Sequence, residues 1–136
     1  MSEREYKIDS ETAEQEFLRW GSAMDLDFEK SHMDEEDLQS FKDAHLRFVE
    51  AVRRGTLKVN DNGEPMFMLA SGVELTFREP KGSAFLASDS RKRNHDVAKL
   101  HAVAADITEQ PIQIFAVMPG REIKLVYAIV GLLLGG

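Results

Sequence analysis

"TLKVNDNGEPMFMLASGVELTFREP", residues 56–80, is where the chain changes its periodicity. Leu57 and Val59 recur at every second position, as do Phe67 and Leu69, then Val73, Leu75 and Phe77. A period of two places such residues on one face of a strand. Two turn signals divide the run. Asn62-Gly63 tolerates the positive φ that a tight hairpin requires, and Ser71-Gly72 offers a second turn. The stretch therefore reads as a three-stranded antiparallel meander. Pro65 has no N–H to donate to a ladder, so it belongs at a strand start or on an edge. Three short strands are not stable alone in water, so one face must lie on helices.

Helical spacing surrounds this sheet on both sides. Upstream, "DEEDLQSFKDAHLRFVEAVRRG" (34–55) opens with acids and closes with Arg53, Arg54 and Gly55. That order complements the helix macrodipole, and glycine is the usual stop. Leu38, Phe41, His45, Phe48, Val49 and Val52 share a face. Earlier, "DSETAEQEFLRW" (9–20) predicts a helix with a capping box at Thr12 and Gln15 and an apolar side of Phe17, Leu18 and Trp20. Gly21 and "DLDFEK" (25–30) are expected to loosen its end. Residues 1–30 thus read as an N-terminal arm with a helix, free to move, and 31–136 as a single α+β domain.

Downstream, residues 82–93 return to helical spacing with Phe85 and Leu86. Asn94 or Asp96 can cap a helix through Thr108, its apolar side formed by Val97, Leu100, Val103, Ala104 and Ile107. Pro111 suits the first turn of a short helix, Ile112–Val117. A last helix begins near Arg121. The fold class is α+β: N-terminal helices, a small three-stranded antiparallel meander, then a C-terminal helical bundle. Phe77, Phe85, Leu100, Val103 and Val130 are expected in its core.

The composition supports one folded domain. The chain has 136 residues, 43% hydrophobic and 30% charged. It has no cysteine, which excludes disulfides, thiolate metal sites and cysteine nucleophiles. The start, "MSEREYKIDSE", has no apolar segment of the secretory kind. The apolar run at the other end spans roughly 15 Å as a helix against about 30 Å of hydrocarbon, so no membrane span is expected. The net charge of −7 is lopsided: residues 1–55 hold 15 acids and 8 bases, whereas 56–136 hold 9 of each. An acidic first half argues against nonspecific nucleic-acid binding. The only basic cluster, Arg91–Arg93, reads as a solvated helix end.

The search for chemistry yields no catalytic motif. His95 and His101 are six apart, so on a helix their rings point to different faces and cannot share a metal. His32 and His45 lie in other segments. Asp34–Asp37 reads as a helix start rather than a metal cluster. There is no phosphate loop, and none of Ser71, Ser83, Ser88 or Ser90 has a nucleophile-elbow context. No catalytic residue, metal or cofactor is expected. Met66, Met68 and Met118 fit core filling, or an adaptable surface for apolar partners.

The strand ending in "VELTFREP", followed by "KGSAFLASD", resembles the tail assembly chaperones of tailed bacteriophages. The resemblance continues through "HDVAKLHAVAADITEQP" and closes on "IQIFAVMPGREIKLVYAIVGLLLGG", covering residues 73–136. It implies a non-enzymatic factor in the host cytoplasm, absent from the mature virion. Such a factor binds the tape-measure protein and keeps it soluble until the tail tube polymerises. Further partners implied are the major tail tube protein, a frameshifted longer form of the chain, and a homo-oligomer. Gly135-Gly136 would then reflect a slippery run in the gene, or else a plain helix stop. The residues leave other classes open: a structural tail or neck adaptor retained in the particle, or a small enzyme whose groups are dispersed in sequence.

The last helix raises its own question. Ile123, Val126, Val130 and Leu133 share one face, assigned to the core. Leu125, Ile129 and Leu132 form a second stripe. Either the second helix or the N-terminal arm covers that stripe, or it is a partner-binding face.

Overall fold

A computed structural model of the chain describes residues 6–82 and 97–134. Phe85, Leu86, Arg91–Arg93, His95, the caps Asn94 and Asp96, and Gly135-Gly136 lie outside the described residues. The fold is α+β. Helices α1 (Ser10–Ala23) and α2 (Glu35–Arg54) precede strands β1 (Leu57–Val59), β2 (Pro65–Met68) and β3 (Glu74–Thr76). Helices α3 (Val97–Thr108), α4 (Gln113–Ala116) and α5 (Gly120–Leu133) follow, and a single 3-10 turn, Lys30–His32, lies between α1 and α2.

The meander forms as the alternation requires. Its order is β1-β2-β3, antiparallel throughout. Leu57 pairs with Phe67 and Phe67 with Leu75, so three buried apolar residues line up across the sheet. Lys58, Met66 and Thr76 form the row on the other face. Pro65 starts β2, where its missing N–H costs no ladder bond, and its carbonyl accepts from Phe77 N–H at 2.8 Å. In the first turn Asn60 Oδ1 accepts from both Asn62 and Glu64 N–H, at 2.9 Å each. Gly63 has φ +79°, and a Cβ there would stand 2.3 Å from Ala23 Cβ, so both conformation and space require glycine. Val73, expected in the third strand, precedes it and is exposed.

Helix α2 starts and stops as its charges predict. Asp34 caps it, accepting from Asp37 N–H at 2.8 Å, and Gly55 ends it with φ 85°. The cap of α1 differs from expectation: Asp9, not Thr12, takes the role, accepting Thr12 N–H at 2.8 Å. The α-helix runs through Gly21 rather than loosening there. A Cβ at Gly21 would meet the Phe28 ring at 2.4 Å, so this glycine serves close packing.

The expected division at residue 30 gives way to one shared core. Ala13, Phe17 and Trp20 of α1 are buried with Phe41 and Phe48 of α2. Phe17 stacks on Phe28 at 4.8 Å and on His45 at 4.2 Å, and meets Phe48 edge-on at 5.1 Å. Trp20 stacks on Phe48 at 4.8 Å. The segment before α1 is also held: Lys7 and Ile8 N–H both reach the Arg53 carbonyl, and the Arg53 guanidinium lies 3.9 Å over the Tyr6 ring. Arg19 ties α1 to the sheet through the carbonyls of Val59 and Asn60, at 2.7 and 2.9 Å. An aromatic-rich amphipathic helix loses too much apolar contact by detaching to behave as an arm.

The remaining core follows the sequence with shifts at helix ends. Phe77, Val103 and Val130 are fully buried, while Leu100 is half-buried against the core. Val97, at the first turn of α3, is exposed. Beyond Pro111 the short helix is α4, flanked by Ile112 and Val117, and α5 starts at Gly120 behind Pro119.

Candidate binding groove

The expected partner stripe divides on folding. Leu125 and Ile129 are buried by their own chain, and only Leu132 stays half-buried. The cover is α2, which packs along α5. Ala44 and Ala51 are buried on α2. Helix α5 therefore buries both stripes, since Val126, Val130 and Leu133 are buried too and Ile123 packs against the core. Leu125 and Ile129 are core residues, not docking residues.

An open groove of about 890 Å³ lies beside this pair, between the α1–α2 connection, α2 and the C-terminal end of α5. Its floor includes Met24, Leu26, Phe28, Met33, Leu132 and Leu134, each half-buried and packed against the core. The residues that build it were legible but misread. In "MDLDFE" (24–29) apolar and acidic residues alternate strictly. The chain there is neither helix nor sheet, and the alternation sends Met24, Leu26 and Phe28 inward while Asp25, Asp27 and Glu29 stay exposed. Leu26 N–H to Gly21 carbonyl at 2.8 Å starts this run straight off α1, and Asp25 takes φ 56° to make the bend.

Charge is unevenly placed around the groove. Asp25, Asp27, Glu29, Asp37, Asp43 and Glu79 line it, against Arg47, Lys124 and His32. Arg47 is engaged by Asp43 at 3.1 Å. His32 Nδ1 lies 2.8 Å from Asp27 Oδ2. The hydrogen bond to Asp27, then its charge, raises the imidazole above the ordinary histidine range. The same bond, with Glu29 N–H, holds Asp27 below the ordinary carboxylate range. Tyr127 also lines the groove. Its hydroxyl is 2.8 Å from His101 Nε2, and burial pushes the phenol upward.

A second depression of about 700 Å³ lies where α2, β2 and α5 meet, with exposed Leu46 and Met68 on its surface. Glu122 is buried at its edge, and its Oε2 accepts Ala70 N–H at 2.8 Å, fastening the β2–β3 turn to the start of α5. Among the described residues no group of three or more His, Cys, Asp or Glu is placed to hold a metal ion, and no helix is long and apolar enough to cross a membrane. Comparison of the chain with protein-family models, with curated proteins and with solved structures finds no match.

Proposed function

We propose that this chain is a tail assembly chaperone of a tailed bacteriophage or prophage, acting in the host cytoplasm and left out of the finished particle. It binds the tape-measure protein and keeps it soluble until the tail tube polymerises around it. The observation that carries the reading is the groove: a half-buried apolar floor, open to solvent, in an acidic chain. An apolar surface of this kind can accept aggregation-prone segments of a partner by a helix-in-groove mode. The net charge of −7 favours solubility of the complex while the partner is held. The resemblance over residues 73–136 supplies the partner's identity.

On this reading Leu132 stays a contact residue, joined by Leu26, Phe28 and Leu134, while Leu125 and Ile129 belong to the buried core. The work is binding, with no bond made or broken. Co-expression with the tape-measure protein tests it: the partner should move from the insoluble to the soluble fraction and co-purify with the chain. Mass spectrometry of purified particles should lack the chain. Stoichiometric presence there would favour a permanent tail or neck adaptor instead.

A further inference from the structure

We infer that the groove receives an amphipathic helix whose apolar stripe is bordered by lysine or arginine. The inference deepens the chaperone reading, and rests on it for the idea that the occupant is a segment of another protein. The chemistry comes from the groove itself. Its apolar side chains form the floor, and its carboxylates stand at the margin. Asp25, Asp27 and Glu29 are exposed at alternate positions along one bank, between the half-buried Met24, Leu26 and Phe28. Asp37 and Asp43 come from α2, and Glu79 from the chain after β3.

Few positive groups offset them. Arg47 pairs with Asp43 and His32 with Asp27, which leaves Asp25, Glu29, Asp37 and Glu79 at the rim against Lys124. An incoming acidic segment would meet like charge along the rim, which disfavours it. A partner with apolar side chains alone would leave the rim unanswered. One with basic residues flanking an apolar stripe satisfies both. Helical geometry suits the open groove: anchors at i, i+4 and i+7 span about 10 Å along an axis and leave flanking positions for the rim. The size, about 890 Å³, falls at the upper end of the roughly 300–1,000 Å³ typical of ligand pockets. A second copy of this chain, itself at −7, is a poor electrostatic match.

The test uses the full chain and two labelled synthetic helical peptides with the same leucine stripe. One is bordered by lysine, its twin by glutamate, and neither contains tape-measure sequence. Fluorescence anisotropy should show the lysine peptide bound at least about tenfold more tightly, with the gap shrinking as salt rises through a Debye length of about 10 Å. The triple variant Asp25→Asn, Asp27→Asn, Glu29→Gln should lose most of the preference yet still unfold cooperatively, with only the small loss expected from breaking the exposed Asp27–His32 pair. Leu26→Ser with Leu134→Ser should weaken both peptides. Equal binding of the two peptides, or an unchanged preference in the triple variant, would overturn the inference. So would self-association that competes with the peptide, which would assign the groove to a second copy. Tape-measure binding with no preference between the peptides removes this inference alone. Lysine-peptide binding without tape-measure binding removes the chaperone reading alone.

Discussion

Replacing Phe17 by alanine tests whether α1 belongs to the core or is an arm. Phe17 is 1% exposed and touches five rings: Trp20, Phe28, Phe41, His45 and Phe48. Transfer of a buried phenylalanine out of water is worth about 1.5–3 kcal/mol. A cavity left among rings that cannot collapse raises the loss to about 3–5 kcal/mol. Aromatic pairing adds to the upper end of that range, at about 0.5–1.5 kcal/mol per good pair. Total stability of a domain is roughly 5–15 kcal/mol, so the loss is a large share of it. Urea unfolding followed by tryptophan fluorescence reads it directly, because Trp20 is the only tryptophan and lies in the same cluster. The midpoint should fall sharply, and thermal unfolding should drop by about 10–20 °C. Leu18→Ala is the control: Leu18 is on the same helix but 57% exposed, so the change should stay within about 0.5 kcal/mol. A Phe17→Ala loss below about 1 kcal/mol would refute the shared core and restore the independent arm.

Gly63→Ala should destabilise by about 1–3 kcal/mol, because φ +79° and the contact with Ala23 Cβ both oppose a side chain; an unchanged denaturation midpoint contradicts this account of the turn. The His32 imidazole should titrate above the ordinary histidine range by NMR and return towards it in Asp27→Asn. The pair's small contribution should be present between the lowered pKa of Asp27 and the raised pKa of His32. It fades as pH rises through the folded His32 value, and also as pH falls through the folded Asp27 value. A His32 titration indifferent to the substitution shows that the pair does not form in solution.

Much of the fold was legible because local chemistry and tertiary packing agree. Gly55 ends α2, Asp34 begins it, and Gly63 turns the hairpin, each for a reason visible in a few residues. The misreadings share a cause: burial is decided by what lies opposite. Gly21 looks like a helix breaker until Phe28 is found against it. The Leu125 and Ile129 stripe looks surplus until α2 is found packed along α5. The groove was the least legible feature. Its bank is an irregular segment, 24–29, whose alternation of apolar and acidic residues resembles a strand with no partner. Only the folded chain shows that its half-buried apolar side chains line an open groove.

The most direct test of the groove as a chaperone site is the soluble fraction of the tape-measure protein when co-expressed with each of three chains. The three are the wild type, Leu26→Ser with Leu134→Ser, and Leu125→Ala. The floor residues Leu26 and Leu134 are half-buried, whereas Leu125 is 5% exposed beneath α2. The account predicts soluble, co-purifying partner with the wild type and loss of both with the floor variant, which still unfolds cooperatively. Leu125→Ala should lower stability by about 2–5 kcal/mol yet retain partner binding wherever it remains folded. Full solubilisation by the folded floor variant, with loss of binding only in folded Leu125→Ala, would contradict it.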